Sequence, residues 1–66
     1  MRATVNGETM ELPEGLTVST LLQHLGVGAE RVAVERNGEV VKQVQHREQK
    51  LAPGDRLEIV TFVGGG

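Results

Sequence analysis

Two Asn-Gly dipeptides, Asn6-Gly7 and Asn37-Gly38, each interrupt runs whose side chains alternate between apolar and polar. A type I′ turn needs positive φ at both central residues, which Asn and Gly tolerate best, and it twists in the same sense as the strands it joins. The chain is therefore committed to an antiparallel hairpin at both places. In the first, Met1-Arg2-Ala3-Thr4-Val5 is apolar at odd positions, and Glu8-Thr9-Met10-Glu11-Leu12 resumes the alternation with Met10 and Leu12 inward. Pro13-Glu14-Gly15 ends it. In the second, Arg31-Val32-Ala33-Val34-Glu35-Arg36 puts Val32 and Val34 on one face and passes through the turn into Glu39-Val40-Val41-Lys42.

Between the hairpins, Val18, Leu21, Leu22 and Leu25 fall at i, i+3, i+4 and i+7, which places all four on one face of a short helix. The Thr17 hydroxyl can accept from the unpaired N–H groups of the first turn, and Gly26 can take the left-handed conformation that stops a helix. After the second hairpin, residues 43–50 are polar and without a period, an irregular connection that Val44 and Leu51 are expected to tie to the core. Pro53-Gly54-Asp55 is type II turn chemistry, with proline pre-setting φ and glycine supplying the positive φ that follows.

The final strand reads Arg56-Leu57-Glu58-Ile59-Val60-Thr61-Phe62-Val63. Its alternation puts Leu57 and Ile59 on the core face with Thr61 or Val63, and leaves Glu58, Val60 and Phe62 on the other. The element order is α+β, and a single helix covers only one face of a sheet, so the opposite face is either solvated or docked to a partner. One domain over 1–63 is expected, followed by a flexible glycine tail at 64–66.

Composition narrows the function. A chain of 66 residues buries only about 60% of the surface its unfolded form exposes, too little for a deep substrate cavity of its own. With no cysteine there is neither a disulfide nor a thiolate metal site, which fits a reducing compartment. No stretch approaches the ~20 apolar residues of a membrane span, and the start has no signal-like apolar run, so a cytoplasmic location away from membranes is expected. A formal charge of −2 and a single aromatic residue argue against nucleic-acid binding. His24 and His46, isolated and without fixed spacing, do not make a metal site. Glu35 and Glu39 flank a turn and read as solvated, while Arg36 is open to pairing with Glu39 or contacting a partner. Gly26-Val27-Gly28 lacks the lysine of a phosphate-binding loop, so the chain binds no ATP of its own.

What remains is the end of the sequence, Gly64-Gly65-Gly66. Three extended residues reach ~10 Å beyond a fold, and without Cβ atoms they thread a slot that side chains would block. They would deliver one reactive group, the α-carboxylate of Gly66. A carboxylate is a poor electrophile until a nucleotide-activating enzyme turns it into an acyl-adenylate, so such a protein would be the substrate of that chemistry and not its catalyst.

The ββαβ order with its closing strand, the Glu35-Arg36-Asn37 segment entering a hairpin, the Pro53-Gly54-Asp55 turn and the ending Phe62-Val63-Gly64-Gly65-Gly66 together resemble the ThiS family of sulfur carriers in thiamine biosynthesis. The resemblance spans the whole chain. It implies a ubiquitin-like β-grasp fold, a mixed four- to five-stranded sheet with one helix packed on one face. It further implies that a ThiF-like, ubiquitin-activating-type adenylyltransferase uses ATP to adenylate Gly66, and that sulfur drawn ultimately from a cysteine desulfurase converts the end to a thiocarboxylate. A ThiG-like thiazole synthase would then take the sulfur. Gly64 and Gly65 would thread the partners' active sites, and Val60, Phe62 and Val63 would dock them, unless Phe62 is core reached through a twist of the strand. Sulfur delivery to molybdopterin or another acceptor, and a ubiquitin-like modifier or plain binding module, stay open beside this reading.

Overall fold

The computed structural model describes residues 1–62; Val63, Gly64, Gly65 and Gly66 lie outside them, and with them the expected tail. Among the described residues there are five strands, β1 (Arg2–Val5), β2 (Glu8–Glu11), β3 (Val32–Arg36), β4 (Glu39–Val41) and β5 (Arg56–Thr61), with one helix, α1 (Val18–Leu25). Short 3-10 turns at Ala29–Arg31 and Gln43–Gln45 complete the set. The strands lie side by side in the order β2-β1-β5-β3-β4. Both hairpins close antiparallel as the Asn-Gly turns dictate, with Asn6 and Asn37 at φ 49° and 53°. β5 enters between them, parallel to β1 and antiparallel to β3, so the sheet is mixed.

Alternation along each strand sends Ala3, Val5, Val32, Val34, Val41 and Leu57 to one face, where they are buried. α1 covers that face with Val18, Leu21 and Leu22, all buried, and Leu25 half-buried at its end. The Thr17 Oγ1 accepts from the Thr20 N–H at 3.2 Å, and the Thr20 Oγ1 accepts from the Thr17 N–H at 2.7 Å, a reciprocal cap at the helix start. Gly26 takes φ 74° and ends the helix as its sequence predicts.

The connection over 43–50 departs from expectation. Leu51 is buried, but Val44 is 81% exposed and does not tie the segment to the core; the buried residue there is His46. The Gln43–Gln45 turn carries Val44 outward. The backbone of the same segment is drawn inward because the helix start needs acceptors: the His46 carbonyl takes the Ser19 N–H and the Gln49 carbonyl takes the Val18 N–H, each at 2.9 Å. With its carbonyl fixed there, the His46 ring lies within 3.1 Å of the Val41 carbonyl at the end of β4. A carbonyl only accepts, so Nε2 carries the proton in that bond.

The sheet closes around Asp55, which is buried. Its Oδ2 accepts from Arg36 Nε at 2.7 Å and from the Ala52 N–H at 2.8 Å, and its Oδ1 accepts from Asn37 Nδ2 at 3.1 Å. Its own carbonyl takes the Thr4 N–H at 2.9 Å. One residue thus joins β1, the 52–55 turn and the second hairpin, and the Arg36 charge goes to Asp55 and not to Glu39. The two turn asparagines also grip β5. Asn6 meets Ile59 through both its amide atoms, accepting from the Ile59 N–H at 2.7 Å and donating to its carbonyl at 3.1 Å. The Asn37 Oδ1 accepts from the Arg56 N–H at 2.9 Å.

Burial pushes the Asp55 carboxyl up, but the bonds from Ala52, Arg36 and Asn37, with the Arg36 charge, outweigh it and hold the group below its ordinary value. A depressed carboxylate stabilises the fold in full above the unfolded-state value of about 3.9 and loses that contribution as pH falls through the folded-state value. Urea titrations at descending pH should therefore show a falling midpoint below about pH 4. In Asp55→Asn that acid slope should flatten, and an undiminished slope would move its origin to other carboxylates.

Candidate functional site

The helix-free face of the sheet is built by the residues the strands turn away from the core. On β5 these are Arg56, Glu58 and Val60, with Phe62 two positions on. Val60 is 60% exposed and Phe62 is 57% exposed. Phe62 is therefore no core residue. Its N–H donates to the Arg31 carbonyl at 2.8 Å, which carries the β3–β5 pairing one residue past the strand and holds the backbone at Phe62 in line.

Pairing register extends the surface across the sheet. Ala33 of β3 stands directly opposite Val60, and Glu35 stands opposite both Glu58 of β5 and Val40 of β4. Val40 is exposed as well. Ala33, Val60 and Phe62 thus form an apolar band beside a row in which Val40 stands in line with a carboxylate pair, Glu35 and Glu58, with Arg56 on the same face. Glu35, Glu58, Arg56, Asn37 and Gly38 line a shallow depression of about 380 Å³. Like charges directly across a sheet repel, and apolar side chains left in water forgo burial, so the fold gains nothing from this composition. Both costs fall when a partner with apolar and cationic groups covers the face.

Alternation along the last strand places Val60 and Phe62 on this face from sequence alone, as the structure does, while Val40 was not singled out. Its signal was available, since Val40-Val41 in a two-faced strand must turn one valine outward. Val63, Gly64, Gly65 and Gly66, the other residues singled out, lie outside the described residues. His24 is exposed on α1, Glu35 and Glu39 are exposed, and His46 is buried away from them. Among the described residues no three His, Cys, Asp or Glu side chains gather as a metal site would require. No described helix is long and apolar enough to cross a membrane.

Known proteins fit this geometry closely. The ThiS family profile matches residues 3–66. A thiazole synthase of Paramagnetospirillum magneticum is 44% identical over all 66 residues, and one of Magnetococcus marinus is 41% identical; the chain spans 20% of the length of each. The sulfur carrier protein ThiS of Bacillus subtilis is 40% identical over 50 residues, 76% of either chain. The crystal structure of the thiamine biosynthesis protein ThiS from Geobacter metallireducens superimposes with a TM-score of 0.87 at 40% identity, covering both chains completely. The five-stranded mixed sheet with one helix is accordingly a β-grasp fold. A match that runs from β1 through the glycine end, on a sheet that overlays a solved ThiS from end to end, means that the chain belongs to the ThiS family.

Proposed function

We propose that the chain is a sulfur carrier of thiamine biosynthesis, acting as a protein co-substrate and not as a catalyst, with the Gly66 carboxylate as its working group. The family match carries this reading, because it extends through residue 66 and so includes the glycine end. In the proposed cycle the carboxylate attacks the α-phosphate of ATP on a ThiF-like adenylyltransferase, releasing pyrophosphate. A persulfide derived from a cysteine desulfurase then attacks the acyl carbon, AMP leaves, and a thiol reduces the acyl disulfide to the free thiocarboxylate. Such a group is ionised at neutral pH and nucleophilic, and its sulfur is not lost as sulfide. A ThiG-like thiazole synthase takes it into the thiazole ring. Support for that partner comes from the two proteins named thiazole synthase that contain a segment similar to the whole of this chain.

Gly64 and Gly65 would thread the partners' active sites, since a side chain would widen the tail. Val60 and Phe62, with Val63 beyond them, would dock the partners, helped by Val40. An extended C-terminus held through its main chain is a recurrent recognition mode, and an exposed apolar band suits it.

Incubation with the adenylyltransferase, ATP, a cysteine desulfurase and cysteine should give an intact mass greater by the difference between one sulfur and one oxygen. An unchanged mass in the complete mixture would overturn the carrier reading. A chain lacking Gly66 should fold as before and take no sulfur. Val60→Glu and Phe62→Ala should each lower affinity for the adenylyltransferase about tenfold or more while changing stability by no more than ~0.5 kcal/mol, as measured by calorimetric titration and thermal unfolding. Wild-type affinity in both variants would move the docking surface elsewhere.

A further inference from the structure

The dipeptides that set the two hairpins are also the sequence in which asparagine most readily loses its amide. Glycine has no Cβ to shield its nitrogen. In an open chain the glycine N–H attacks the preceding side-chain amide carbon, the bond to the amide nitrogen breaks, and ammonia leaves with the proton from the glycine nitrogen. A five-membered succinimide remains. Water opens it at either carbonyl, giving aspartate or, with the main chain rerouted through the side-chain carboxyl, isoaspartate. No oxidant or second protein takes part.

In the folded chain both leaving nitrogens are engaged. Asn6 Nδ2 donates to the Ile59 carbonyl and Asn37 Nδ2 to Asp55 Oδ1, each at 3.1 Å, while each Oδ1 accepts a β5 N–H. Cyclisation must break the Nδ2 bond. It must also dismantle the turn, because the succinimide ring fixes the torsion between Asn and Gly at a value a type I′ turn does not use. Neither site can react without local opening.

The two products differ in consequence. At Asn6 a new carboxylate would face only the neutral Ile59 carbonyl. At Asn37 it would stand where a donor now lies 3.1 Å from the Asp55 carboxylate, and two carboxylates at that distance cannot both stay ionised cheaply. Arg36, the single cation bonded to Asp55 among the described residues, already engages Oδ2. We propose that Asn6 and Asn37 are spontaneous deamidation sites that the fold holds in check, and that conversion of Asn37 is the event that loosens β5.

The full chain would be incubated in mildly alkaline buffer with and without concentrated urea, then digested and its peptides weighed over time. Both sites should convert in urea, and each should convert at least about tenfold more slowly in the folded chain, the factor set by a local opening of ~1.4 kcal/mol. Equal rates would overturn the protection. Hydrogen exchange across Arg56–Thr61 tests the consequence: Asn37→Asp should exchange about tenfold faster than wild type or more, and Asn6→Asp by a smaller factor. Asn37→Asp exchanging like wild type, or Asn6→Asp exchanging faster still, would overturn it. Should Asn37→Asp not fold, Asn37→Gly decides, because it keeps the positive φ and removes both side-chain bonds, to Asp55 and from the Arg56 N–H, without adding charge. A folded Asn37→Gly supports the repulsion, and an unfolded one assigns the loss to the missing hydrogen bonds and overturns it.

Discussion

A buried carboxylate on the turn before β5 sets the terms for the whole sheet. Asp55 sits where β1, the second hairpin and the start of β5 converge, and its charge is tolerable only because three donors, the Arg36 guanidinium among them, meet it. Removal of one partner from such a group leaves the remainder unpaired where the Asp55 side chain has little contact with water, so the arrangement stabilises the native pairing chiefly by penalising the alternatives. A sheet slipped by one residue would present Asp55 to the wrong neighbours as well as turning its strands inside out.

Parts of this design were legible in the sequence because they are local. The hairpins follow from Asn-Gly, the helix from Val18, Leu21, Leu22 and Leu25 with Thr17 and Gly26 at its ends, and the outward direction of Val60 and Phe62 from alternation along one strand. What escaped is long-range. Arg36 and Asp55 are nineteen positions apart, and nothing near either marks the other as its partner. Val44 misled because an apolar residue in a polar stretch suggests an anchor, whereas His46 was pulled inside by the need of a distant helix start for carbonyl acceptors. Apolar character reports what burial would gain; backbone hydrogen bonding decided which residue was placed to gain it.

The two faces of the sheet divide the work. The covered face holds the apolar core, with Ala3, Val5, Val32, Val34, Val41 and Leu57 beneath the helix. The open face mixes an apolar band with paired carboxylates, a composition that makes sense as a surface completed by another molecule. β5 belongs to both, since Leu57 and Ile59 face the helix while Glu58 and Val60 face outward, so the strand nearest the glycines in sequence is also the central one of the sheet, paired on both sides.

The strand order has a consequence during synthesis. β5 is central in the sheet but is made after every other strand, and until it emerges the two hairpins have no common neighbour to pair with. A nascent or truncated chain that stops before residue 56 has two hairpins with no strand between them and lacks Leu57 and Ile59 from the core beneath the helix. A molecule that has closed its sheet has therefore been translated at least through residue 61.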